Sequence, residues 1–240
     1  MSSPAGPLLF EPMQLRGARL RNRIVVSPMA QYSAEEGKAT DWHFAHFAKL
    51  AIGGAALVFT EAVKVERRGS GTVGDLGLWS DAHVAPLARI ASVVKAHGGI
   101  PGIQLNHAGR KAGTFRPWEG FGPLDRTRPL QDQDHWEVVG PSAVPHLAEW
   151  PVPRALASSE VADVVDAWTA AARRAASAGF EVLEIHGAHG YLVHQFLSEA
   201  ANRRTDRYGG DLANRMRFAL EIAEAVRGVW PHDRPLFFRT

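Results

Sequence analysis

Cysteine is absent from the 240 residues. Disulfides, thiolate zinc centres, a cysteine nucleophile and a cysteine-ligated iron–sulfur cluster are thereby excluded within this chain, and a cytoplasmic protein is expected. Long apolar runs are missing as well: none approaches the roughly 18 residues of a membrane span. The opening Met1-Ser-Ser-Pro-Ala-Gly6 carries no basic segment followed by an apolar core, so no targeting signal and no membrane partner are expected. Blocks of like charge are lacking too. Basic and acidic residues are interspersed around a formal net charge of +2, which argues against nucleic acid as the main partner.

What is present is 45 % apolar residues, enough for one sizeable core. One domain over residues 1–240 is the expectation, because α/β barrels commonly run to about 250 residues. Ile24-Val25-Val26 reads as a first strand, ended by the loop Ser27–Tyr32 because Pro28 removes an amide donor. Thr40 or Asp41 can cap a helix that keeps apolar spacing from Trp42 to Ile52 and stops at Gly53-Gly54. Ala55–Phe59 follows as strand two, leading into Thr60, Glu61 and Ala62, and Asp81 can cap the next helix, which ends at Gly98-Gly99. Ile100–Leu105 is strand three, with Gln104, Asn106 and His107 at its end.

The stretch 109–157 is polar and rich in Pro, Gly and Trp, far too long for an ordinary connection, and reads as a lid or substrate-facing loop insertion. Ser158 or Ser159, with Glu160, opens a long helix that delivers the chain to strand four at Val182–Ile185. After the polar turn 202–210, Asp211 caps a helix running to Trp230, and Leu236–Phe238 is strand five with Arg239 at its end. Four strand–helix units and a fifth strand, with no two strands close enough for a hairpin, imply a parallel α/β sheet with right-handed crossovers. A doubly wound sheet lacks its usual sign, a Gly-rich turn between strand one and helix one.

Ligands of such proteins bind at the carboxyl ends of the strands, and there stands Glu181-Val-Leu-Glu-Ile-His-Gly-Ala-His-Gly-Tyr191. Its imidazoles at His186 and His189 and its phenol at Tyr191 can donate hydrogen bonds to a substrate oxygen and supply a proton near neutral pH. A metal held by the two histidines and Glu184 is the competing reading, disfavoured because no acidic residue stands beside His186 in a familiar ligand spacing. His43 and His46 read as members of a helix face. Gly69-Ser-Gly-Thr-Val-Gly74 has the spacing of a dinucleotide fingerprint but neither a strand before it nor a helix after it, so a loop is expected.

Five motifs together resemble the Old Yellow Enzyme family of flavin-dependent ene-reductases, in the bacterial branch typified by xenobiotic reductases. They are Asn22–Met29, Asp75–Trp79, Gln104–Lys111, His186–Tyr191 and Asn202–Gly210. The resemblance implies a TIM (β/α)8 barrel of which this chain covers strands one to five and helices one to four. It implies FMN as cofactor, NADPH or NADH as hydride donor, and an enone or enal as substrate. It assigns Pro28, Met29, Ala62, Gln104 and Arg239 to the isoalloxazine ring, His186 and His189 to the substrate carbonyl, Tyr191 to proton donation, and Tyr32 to a further substrate contact. The position of Ala30 is often cysteine in this branch. A barrel of eight strands needs three more after Phe238. A truncated part of a longer ene-reductase, or one chain of a split or assembled barrel completed by a second copy or a complementing chain, is therefore expected, with strand order one to five, two apolar edges either disordered or paired to another chain, and FMN bound weakly or not at all by this chain alone. A non-catalytic part of a split barrel and a metal-dependent barrel hydrolase are the alternatives.

Overall fold

The computed structural model describes residues 7–127, 130 and 134–240, so Met1–Gly6 lies outside the described residues. The first strands are an antiparallel hairpin, β1 (Met13–Leu15) with β2 (Ala18–Leu20), which corrects the expectation that no hairpin is present. Three-residue strands are too short for alternation to register. The turn uses Arg16 at φ 49° and Gly17 instead of the usual Asn-Gly or Asp-Gly. Gly17 is required by contact: a Cβ there would meet Asp233 O at 2.8 Å.

Five strands then form one parallel sheet in the order expected: β3 (Val25–Val26), β4 (Leu57–Lys64), β5 (Ile100–Asn106), β8 (Val182–His186) and β9 (Leu236–Arg239). Between them run α1 (Asp41–Ile52), α2 (Val84–Ala96), α3 (Ser158–Ser177), the short α4 (Leu192–Leu197) and α5 (Leu212–Val229). Alternation places Val58, Val63, Ile103, Leu105, Leu183 and Ile185 on the helix-covered face, against Phe47, Leu87, Trp168, Phe218 and Ile222. The opposite, concave face is filled at its amino-terminal end by Leu57, Phe59, Ile100 and Val182, which the hairpin covers with Ala18 and Leu20. Both outer strands are formed, each paired on one side.

Several boundaries differ from expectation. Strand two does not stop at Phe59 but continues to Lys64, because a bulge between Phe59 and Ala62 shifts its register and carries Thr60 and Glu61 past the irregularity. Ser80, not Asp81, caps the turn before α2, accepting from the Ala82 amide at 3.2 Å, while Asp81 accepts from Arg174 at 2.7 Å. Helix α3 begins from Ala157, whose amide is held by Glu160 at 2.8 Å, leaving Ser158 to donate to Asp206. The Asp211 cap is as expected, accepting from the Asn214 amide at 2.8 Å. Helix α4 was not expected; six residues give too little periodicity to read. Within 109–157, β6 (Val139–Gly140) pairs with β7 (Arg154–Ala155), and Ala112, Leu124, Trp136 and Val138 bury a small core with Ala108. Residues 128–129 and 131–133 of this stretch lie outside the described residues.

Candidate active site at the carboxyl ends of the strands

Strand register builds the site in two layers. On the concave face Ala62 pairs with Gln104 and Gln104 with Glu184. One step towards the carboxyl ends, Lys64 pairs with Asn106 and His186 with Arg239. Five expected residues, Ala62, Gln104, His186, His189 and Arg239, thus gather at one end of the sheet. Gln104 is buried and donates to Glu184 at 2.6 Å. Burial pushes the Glu184 carboxyl up, opposed by the Gln104 amide and the Arg239 cation.

His186 is the strand's last residue and is 3 % exposed. Its Nδ1 accepts the Ala188 amide at 3.2 Å, which leaves the proton on Nε2. Burial, then the neighbouring His189, Lys64 and Arg239, push its pKa down to about 3, so it is a neutral donor at pH 7. His189 follows in the left-handed region at φ 57°, with its ring centroid 5.0 Å from that of His186 and the planes at 82°. Burial, Arg239 and Lys111 hold it below the usual imidazole range as well, and Arg239 Nη2 approaches its Nε2 at 3.5 Å. Tyr191 completes the group, edge-on to His186 at 5.0 Å and 85°.

Loop residues contribute unequally. Pro28 lines a cavity of about 470 Å³ together with Val25, Phe59, Glu184, Phe237 and Arg239. Met29 is half exposed and does not line it. Tyr32, at φ 53°, stands edge-on to Trp118 at 5.8 Å. Burial and then Asp75 push its phenol up. The loop behind it is tied down by Glu61, which accepts from the Gln31 amide and from His43 Nε2, the latter at 2.9 Å. His43 is therefore a buried helix-face residue, as expected. In the glycine-rich loop, the Gly71 amide donates to Asp75 at 2.8 Å and the Gly74 amide to Thr72 at 3.1 Å, so both serve the loop itself.

Some site residues were not singled out beforehand. Lys64 is buried 3.4 Å from Asp75, with its ammonium 5.8 Å from the Tyr191 ring centroid. Lys111 lies 5.4 Å from the same ring and donates to His189 O at 2.7 Å. Asn106 is fully buried, and neither its Nδ2 nor its Oδ1 has a partner. Asn106 reads as the end of strand three, two residues past Gln104, without a site role; the lysines have no local signal. A cavity of about 700 Å³ elsewhere is lined by Glu36, Arg67, Trp79 and His83 and holds none of these groups, so chemistry rather than size locates the site. Among the described residues, no three His, Cys, Asp or Glu side chains are grouped to hold a metal ion, and no helix is long and apolar enough to cross a membrane.

Residues 8–240 match the model of the NADH:flavin oxidoreductase / NADH oxidase family. The chain belongs to this family. A relative within it is the NADPH dehydrogenase of Geobacillus sp. (strain WCH70), 43 % identical over 234 residues that make up 97 % of this chain and 62 % of the relative. The NADPH dehydrogenase of Bacillus subtilis (strain 168) is 42 % identical over 96 % of this chain and 62 % of its own length. Among solved structures, morphinone reductase superposes with a TM-score of 0.82 at 30 % identity, over 98 % of this chain and 62 % of that one. The chain thus spans 62 % of the length of the curated relatives quoted. This is the Old Yellow Enzyme family that the motifs resemble, and the five-stranded sheet is part of its (β/α)8 barrel. FMN is the family's cofactor. The residues in place suit a flavin ring: Pro28 and Ala62 are small apolar groups, Gln104 offers an amide, Arg239 a cation, and Asn106 a buried amide without a partner.

Proposed function

We propose that the protein is an NAD(P)H-dependent ene-reductase acting on α,β-unsaturated carbonyl compounds. The observation that carries this reading is the triad of His186, His189 and Tyr191, with His189 and Tyr191 each edge-on to His186 at a strand end beside Arg239. Pro28, Met29, Ala62, Gln104 and Arg239 would hold FMN, which would supply the hydride chemistry between NADPH or NADH and the β-carbon of the alkene. His186 binds the substrate oxygen through Nε2–H, its other nitrogen being committed to the Ala188 amide. His189 adds a second donor to the same oxygen, and the pair stabilises negative charge as it develops there. Both imidazoles are held neutral, so neither gives up its proton to the oxygen at pH 7. Tyr191 then donates the proton to the α-carbon, and Tyr32 adds a hydrogen bond from loop one.

The reading includes a cytoplasmic setting and a small-molecule enone or enal. The outer strands of the described sheet, β3 and β9, are where further strands, a second copy or a complementing chain would pair. The test is anaerobic. The flavin-loaded protein is reduced with one equivalent of NADPH and mixed with 2-cyclohexen-1-one, and the flavin absorbance is followed. Reoxidation with formation of cyclohexanone is the expected outcome; a flavin that stays reduced in excess enone refutes the assignment.

A further inference from the structure

The turn that presents His189 is held by groups the proposed mechanism does not use. His189 and Gly190 are consecutive left-handed residues, at φ 57° and 71°. A non-glycine residue stays in that region only when its surroundings hold it there. Both carbonyls are gripped: Lys111 Nζ donates to His189 O at 2.7 Å, and Gln195 Nε2 donates to Gly190 O at 2.8 Å. The same Gln195 amide donates to Ala108 O at 3.0 Å, and its Oε1 accepts from the Arg110 amide at 3.1 Å. Two carbonyls need donors and one N–H needs an acceptor, so only one orientation of the amide satisfies all three.

Gln195 is 1 % exposed, the fourth residue of α4, and it joins two turns. One follows β5 and carries Lys111; the other follows β8 and carries His189 and Tyr191. The fit is close: Gly109, at φ 58°, has no room for a side chain, because a Cβ there would lie 2.3 Å from Gln195 Oε1. We propose that Gln195 is a positioning residue, which by fixing the carbonyls of Ala108 and Gly190 holds His189 in its left-handed conformation and sets the His186–His189 pair against the substrate oxygen. The inference rests on reading the two histidines as the carbonyl-binding groups.

Two variants test it. Gln195→Leu keeps the volume and removes all three bonds. Gln195→Glu keeps the acceptor, turns an anion towards two carbonyls when ionised, and regains one donor when protonated. The flavin-loaded native and variant proteins are titrated with 2-cyclohexen-1-one, which carries no charge, by flavin difference spectra from pH 5 to 8. Amide hydrogen exchange is measured across residues 187–192 in parallel. Gln195→Leu is expected to bind the ketone about tenfold more weakly, the equivalent of one well-placed hydrogen bond. Gln195→Glu is expected to bind like the native protein at the acid end and like Gln195→Leu at the alkaline end, against a flat native profile. Exchange should quicken at 187–192 in Gln195→Leu and stay slow in β5 and β8. Native affinity in both variants at every pH, or unchanged exchange at 187–192, overturns the proposal. If Gln195→Leu loses its flavin, the Gln195→Glu profile decides: weakening as pH rises supports the role and a flat native-like profile refutes it. If the native holoprotein itself binds no ketone, the ene-reductase reading fails instead, and exchange at 187–192 alone decides whether Gln195 holds the turn.

Discussion

Replacing Tyr191 with phenylalanine isolates the proposed proton donor, because the side-chain contacts of Tyr191 run through its ring. That ring stands 5.0 Å from His186 and faces the ammonium groups of Lys64 and Lys111 at 5.8 and 5.4 Å. Phenylalanine has the same ring and the same shape against all three, so folding stability should change by no more than about 0.5 kcal/mol, the usual range for a change that leaves packing intact. What disappears is the hydroxyl proton. General acid catalysis contributes about 10²- to 10⁴-fold, or about 3–5 kcal/mol of barrier, and that loss should fall on alkene reduction alone. Flavin reduction by NADPH needs no proton from Tyr191 and should keep its rate. Stopped-flow absorbance of the two half-reactions, with a denaturation curve as control, measures each quantity separately. Equal slowing of both half-reactions, or an unchanged oxidative half-reaction in a fully folded variant, refutes the assignment.

Other consequences follow from the same geometry. The folded-state pKa of His186, about 3, lies below its value of about 6.5 in an unfolded chain. The unfolded state therefore takes up this proton first, and the contribution to stability is present above pH 6.5 and is lost as pH falls towards 3. His186→Gln should flatten that part of the stability–pH curve measured by urea denaturation; an unaltered curve contradicts the shift. Leu20, 2 % exposed between the hairpin and the sheet, should cost about 2–5 kcal/mol when cut to alanine, read from the urea midpoint, and a loss below 1 kcal/mol would mean the hairpin does not seal the sheet. Gly102→Ala would set a Cβ 2.7 Å from the Phe59 ring, so a lowered melting temperature is expected, restored in part by Phe59→Leu; no change in the single variant refutes the close packing.

Much of the fold was legible because strands and helices carry different periods. Helix α5 could be read end to end, since Asp211 caps it and apolar spacing runs from Leu212 to Val226. The upper layers of the site were legible for the same reason: Gln104 and Asn106, Glu184 and His186, and Arg239 all stand at strand ends with period two. Ala62 was placed past its strand when it lies inside it, because a bulge breaks the period and leaves no compositional trace. The hairpin leaves no periodic signal because its strands are three residues long. Gln195 reaches Ala108 and Arg110, and Lys64 reaches Tyr191, all distant in sequence, and no local pattern announces a contact made through a turn on another strand. Ser80 and Ala157 show the limit of cap reading: with several polar side chains in a row, tertiary partners such as Arg174 and Asp206 decide which is free to cap.

His186 and His189 are proposed to bind one oxygen beside a flavin. Titrating p-hydroxybenzaldehyde into the flavin-loaded native protein, His186→Ala and His189→Ala while following the long-wavelength charge-transfer band tests it most directly. A band in the native protein, with affinity reduced in each variant at unchanged flavin content, is the predicted result. Equal affinity in all three proteins would rule out His186 and His189 as the oxygen-binding pair.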